Sequence, residues 1–73
     1  MNIKLLLKDG NPILISGFKE LHYQPFSGDE VVIDANSCST FSISKVNSAI
    51  TVIGNTVVSI RVEDVKAVLF TSN

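Results

Sequence analysis

Hydrophobic side chains along this chain recur at every second position and almost nowhere at every third or fourth. Ile3, Leu5 and Leu7 alternate with Lys4, Leu6 and Lys8 at the start. Val, Ile and Thr runs repeat the pattern to the end. In extended backbone, successive side chains project to opposite sides, so a two-residue period fits a strand with one face on a core. An amphipathic helix needs a period near 3.6, and heptads a period of 3.5. Neither occurs here, nor does an internal repeat. The chain is committed to β-sheet, and the questions left are where the strands turn and what they enclose.

Turn formers divide the alternation. Asp9-Gly10-Asn11-Pro12 offers a glycine for positive φ and a proline that cannot donate to a ladder. A long second strand is expected over 13–23, interrupted at Gly17, where a glycine inside a strand pattern marks a bulge or bend. Residues 24–29 read as a loop and 31–33 as a short strand, followed by a polar turn at 36–39. Strand-like runs follow at 41–46 and 49–53, broken or bent at Asn47-Ser48. Gly54-Asn55 between β-branched runs predicts a hairpin at 53–56 with a type II′ or I′ turn. In the last third, Glu63-Asp64 between two strand runs is too short for an α-helix. It predicts a single 3₁₀ turn over 62–65, with Val62 and Val65 on one side. Five to seven short strands at this spacing mean a small all-β antiparallel barrel or sandwich.

A chain of 73 residues makes one domain, 1–73, near the lower limit for a core that is stable unaided. One cysteine, Cys38, permits no intrachain disulfide, and with one histidine, His22, it cannot complete a four-ligand zinc site. Stability must then come from apolar burial. Hydrophobic residues make up 45% and charged residues 18%, against about 25% charged in an average domain. That is more apolar surface than so small a core hides. The surplus is expected to be covered by further copies of the chain, making a homo-oligomer, and by another protein.

The formal net charge is −1, and the basic residues Lys4, Lys8, Lys19, Lys45, Arg61 and Lys66 form no run. The general electrostatic drive toward nucleic acid or anionic membranes is missing. No apolar stretch reaches the 18 or more residues of a membrane span. The apolar N-terminal run meets Asp9 at once and reads as a strand rather than a secretory leader. With a lone thiol besides, a cytoplasmic location is expected.

Each polar cluster has a chemical and a structural reading. His22 beside Tyr23, near Lys19 and Glu20, could act as a base or a pH-sensitive contact. The simpler reading is a strand entering a loop with its polar groups in water. Cys38 lies among small polar residues without a cation to lower its pKa, so a passive thiol is expected. Asp29, Glu30 and Asp34 are divided by strand residues and do not alternate as calcium ligands do. Gly10, Gly17, Gly28 and Gly54 are scattered and form no phosphate loop. No acid, base and nucleophile set can be nominated, so neither an enzyme nor a cofactor is expected. Among the aromatics, Phe18, Phe41 and Phe70 are expected in the core. Pro25-Phe26-Ser27-Gly28 instead puts an aromatic at a loop tip, a favoured position for an interface anchor. His22, Tyr23, Pro25 and Phe26 are therefore the candidate partner-binding residues.

The opening Ile3-Lys4-Leu5-Leu6-Leu7-Lys8-Asp9-Gly10, followed by a bent strand, resembles the first strand and Asp-Gly turn of the Sm-like proteins. The strand, single turn and strand across residues 58–70 resemble the ending of many SH3-like barrels. The resemblance implies an SH3-like antiparallel barrel. Sm-like proteins open on an α-helix and line an RNA pocket with an Asp and an Asn around the second strand. They also carry an Arg/Lys-Gly pair before the last strand. Here Met1 leads straight into a strand, Glu20-Leu21-His22-Tyr23-Gln24 occupies the pocket stretch, and Val62 follows Arg61. In size, composition and style the chain also resembles short proteins encoded by phages and prophages of Gram-positive bacteria. The expectation is thus a non-enzymatic protein-interaction module. A single-stranded nucleic-acid-binding barrel is one alternative. A small inhibitor of a host defence system, binding a protein or a nucleotide, is another.

Overall fold

The computed structural model describes residues 1–72. Asn73, the last residue of the expected domain, lies outside the described residues. The alternation resolves into seven strands: β1 (Asn2–Leu7), β2 (Pro12–Ile15), β3 (Glu20–Pro25), β4 (Val31–Asp34), β5 (Val46–Ile53), β6 (Val57–Arg61) and β7 (Val65–Thr71). Three 3₁₀ turns, Cys38–Thr40, Ile43–Lys45 and Val62–Asp64, complete the chain, and no α-helix occurs among the described residues. The last of these is the turn expected over 62–65.

The strands form two antiparallel sheets, one of three strands ordered β2-β1-β7 and one of four ordered β4-β3-β5-β6. Among the described residues no ladder joins them, so strand pairing does not close the sheets into a barrel. What unites them is one core. Ile3, Leu5 and Ile15 from the smaller sheet meet Leu21, Tyr23, Ile33, Val46, Ile50 and Val52 from the larger, with Phe18 between. These are the inward positions of the period-two pattern. Fully burying each large aliphatic side chain contributes about 1.5–3 kcal/mol. Phe18, Phe41 and Phe70 join the core as expected. They form a series of edge-to-face contacts ending on Tyr23, with ring centroids 5.2 Å (Phe18–Phe70), 6.2 Å (Phe70–Phe41) and 5.6 Å (Phe41–Tyr23) apart.

Several local expectations are corrected. The strand expected over 13–23 is two strands in different sheets. Gly17 sits in the left-handed region at φ +64° and turns the chain. Phe18 N–H then donates to Met1 O at 2.8 Å and Lys19 N–H to Ile53 O at 2.8 Å, so the crossing segment ties both sheets. Residues 41–45 are not strand. Hydroxyls compete there for local partners: Thr40 Oγ1 donates to Ser37 O at 2.8 Å, and Ser42 and Ser44 share a hydrogen bond at 2.8 Å. The bend at Asn47-Ser48 is a bulge in β5, with Ser48 at φ +74° and the β3 register shifting between Tyr23 and Gln24.

The 53–56 hairpin forms, but Ile53 pairs with Val57 around three loop residues, and Gly54 is not among the positive-φ glycines. A type I′ or II′ turn is thereby excluded. Glycine is needed at 54 for space. A Cβ there would lie 2.7 Å from Ile15 Cγ2 and 2.9 Å from Ser16 O.

Candidate interaction surface

Antiparallel register decides which outward side chains become neighbours. On the four-stranded sheet, His22 lies opposite Val32 on β4 and Thr51 on β5, and Thr51 lies opposite Ser59 on β6. One row over, Glu20 lies opposite Asp34 and Ile53, and Ile53 opposite Val57. Glu30, just before β4, reaches the same face. The outer surface of this sheet thus carries Glu20, Glu30 and Asp34 around His22, with Arg61 at the end of β6 and Val32 and Val57 exposed at its sides.

His22 is held from both ends of its ring. Nε2 lies 3.1 Å from Glu20 Oε1 and Nδ1 lies 3.3 Å from Glu30 Oε1. Both carboxylates accept hydrogen bonds, and only the doubly protonated imidazolium donates to both. The hydrogen bond to Glu20 chiefly raises the His22 pKa above the ordinary value; desolvation opposes it, and Glu30 adds to the rise. Asp34 is engaged elsewhere. Its Oδ1 accepts from Asn36 N–H at 2.9 Å and from Ser37 N–H and Oγ–H, each at 3.2 Å, which shapes the turn after β4.

The remaining sequence-predicted site residues spread along the same hairpin. Gln24 Nε2 donates to Gly28 O at 2.8 Å, and Gly28 at φ +98° lets the loop close. That leaves Phe26 71% exposed at the tip. Pro25 is half-buried at the end of β3, paired with Val46. Tyr23 points inward, 6% exposed, with its ring on Phe41. His22, Pro25 and Phe26 are at least partly exposed along this hairpin, and Tyr23 belongs to the core.

A second surface was not singled out from the sequence. On the outer face of the three-stranded sheet, Lys4 lies opposite Leu14 on one side and Leu69 on the other. Beside that row, Leu6 lies between Pro12 and Ala67. Leu14 and Leu69 are 69% and 42% exposed. The signal was present in β1, where Leu6 stands between Lys4 and Lys8 on the side that should be polar, and in the unbroken Ile13-Leu14-Ile15.

Compared with known proteins, the chain matches no family model, no curated protein and no solved structure.

The concave features are small. A shallow depression of about 330 Å³ is lined by Leu7, Lys8, Asp9, Ile60 and Asp64, and another by Ser48, Arg61, Val62 and Glu63. In the latter, Arg61 is engaged by Glu63 at 3.0 Å and Asp64 at 3.3 Å. No group of three or more His, Cys, Asp or Glu side chains among the described residues is placed to hold a metal ion. Cys38 is a free thiol, half-buried, with its Sγ 3.9 Å from Met1 Sδ. No helix among the described residues is long and apolar enough to cross a membrane.

Proposed function

We propose that this chain is a non-enzymatic interaction module that associates with itself and with another protein through the outer surfaces of its two sheets. One observation carries the reading. Leu14, Phe26, Val32, Val57 and Leu69 stand exposed on a domain this small, and four of the five lie on outward sheet positions, with Phe26 on a loop tip. Singly scattered apolar residues need no explanation, whereas Leu14 and Leu69 are grouped with Leu6 around Lys4 on one sheet face, and grouped exposed apolar side chains mark a contact surface.

An SH3-like scaffold is the finer architecture we propose. The chain passes from β1 into β2, turns at Gly17 into the second sheet, makes the β5–β6 hairpin, and returns through a 3₁₀ turn to pair β7 with β1. That path is the one expected of an SH3-like barrel, with β4 as an added strand.

The test is molar mass by light scattering across about 10 µM to 1 mM. The expected result is a mass that rises with concentration above that of the monomer. A constant monomer mass, together with a salt-sensitive rise in the anisotropy of a labelled single-stranded oligonucleotide, would replace this reading with a nucleic-acid-binding one.

A further inference from the structure

We infer that copies of this chain pack head to tail, the leucine face of the three-stranded sheet of one copy resting on the acidic face of the four-stranded sheet of the next. The inference rests on the self-association proposed above and names the two surfaces that make it.

Charge decides the pairing. Lys4 lies in the middle of the leucine face, between Leu14 and Leu69. Packing that face on its own copy about a two-fold axis would bring Lys4 close to its symmetry mate and desolvate two like charges together. Placed on the other face, Lys4 meets Glu20 and Glu30, whose side chains remain 48% and 60% exposed. On that face Val32 lies opposite His22, and Val57 lies beyond Ile53 in the row of Glu20, so Leu14 and Leu69 have apolar ground to rest on. Each face thus combines exposed aliphatic side chains with exposed charge, and the charges that would meet are of opposite sign.

Three of the four sheet edges are poorer docking sites than the faces. β2 and β4 have four residues each, β2 begins with Pro12, and β7 is bulged where it passes Leu6 and Leu7 of β1. Short strands, proline and bulges are devices that discourage strand addition at an edge.

Two different surfaces on one chain make a heterologous contact, which repeats into an open filament or closes as a ring. Its strength is bounded by size. Strands about 4.8 Å apart, rising about 3.3 Å per residue, give a three-stranded face of a few hundred Å². That is below the roughly 800 Å² per partner of a stable complex. The association is accordingly weak and visible only at high concentration.

Charge reversal tests the pairing with two variants, K4E and the double substitution E20K/E30K. K4E places an acid on the leucine face, against an acidic mate. E20K/E30K places lysines on the other face, against Lys4. Each alone is expected to self-associate at least tenfold more weakly than the wild type in sedimentation or light scattering. An equimolar mixture is expected to recover the association, because each variant then offers the other a face of opposite sign. L69K, which leaves the acidic face untouched, is expected to weaken association as K4E does. Far-UV circular dichroism and thermal unfolding verify that each variant is folded. Wild-type self-association with both charge variants unaffected would overturn the face assignment and leave the interaction-module reading standing. Loss in both variants without recovery on mixing would overturn the assignment too. A wild type that stays monomeric up to about 1 mM would overturn the underlying reading as well.

Discussion

His22 carries its ring on an open sheet face, where water screens charge and a single surface ion pair contributes only about 0–1 kcal/mol. What distinguishes it is that both ring nitrogens face carboxylates, Glu20 on its own strand and Glu30 at the foot of β4. The folded state thus favours the imidazolium, and its pKa lies above that of the unfolded chain. The sign follows from linkage: the stabilisation is fully present below about pH 6.5, the ordinary histidine value, and is lost as pH rises through the higher folded-state value. Titration of the His22 ring protons by NMR is expected to give a midpoint above the ordinary value. Glu20→Gln should lower that midpoint more than Glu30→Gln, and equal effects would show that the two carboxylates are interchangeable. The sequence exposed half of this arrangement. Glu20 is two residues from His22 and shares its face by strand alternation, whereas Glu30 arrives only through the β3–β4 register. Phe26 was more legible, because Pro25 and Gly28 around an aromatic already specify a loop tip. At 71% exposure it supports nothing beneath it, so Phe26→Ser should leave the unfolding free energy within about 0.5 kcal/mol of wild type in urea denaturation.

Glycines govern how the elements meet. Gly54 packs the β5–β6 hairpin against the segment that crosses between sheets, and Asn55 N–H donates to Ser16 O at 2.9 Å beside it. Ile15 and the carbonyls of Ser16 and Gly17 leave no room for a Cβ, and backbone oxygens cannot move aside as a flexible side chain can. Gly54→Ala should therefore destabilise by about 1–3 kcal/mol, the usual cost of overpacking, as measured by chemical denaturation. Gly17→Ala should cost about 1–2 kcal/mol for a different reason. The obstacle there is the end of the Asn55 side chain, which can swing away, but φ +64° remains unfavourable for alanine. If Gly54→Ala proved neutral, the hairpin could not be seated as closely as described. Element positions were read well from the sequence wherever alternation was strict, as in β1 and β6. They were misread at 13–23 and 41–46, where apolar spacing continued through a corner and through hydroxyl-stabilised 3₁₀ turns. Alternation reports which way a side chain points, and it is silent on when the backbone changes sheets.

At the scale of the molecule, the inward pattern specified a single core, and the aromatic series from Phe18 to Tyr23 fills it. Which strands share a sheet was not legible, because strand order depends on pairing between residues far apart in the chain. The outer faces were hidden for the same reason. Leu14, Lys4 and Leu69 become one row only once β2 and β7 flank β1, and Glu30 joins Glu20 only once β4 pairs with β3. Those rows give the molecule two faces of opposite character, and His22 lies within the acidic one, among Glu20, Glu30 and Asp34. Protonating it cancels part of the charge that receives Lys4. Lowering the pH through its raised pKa should then weaken self-association while strengthening the His22 contacts inside each copy. The wild-type dissociation constant should therefore rise as the pH falls through that raised value, and that of His22→Gln, which has no charge to gain, should stay flat. The same rise in both proteins would mean that His22 is not the group responsible, and concentration-dependent light scattering at four or five pH values is enough to separate the two outcomes.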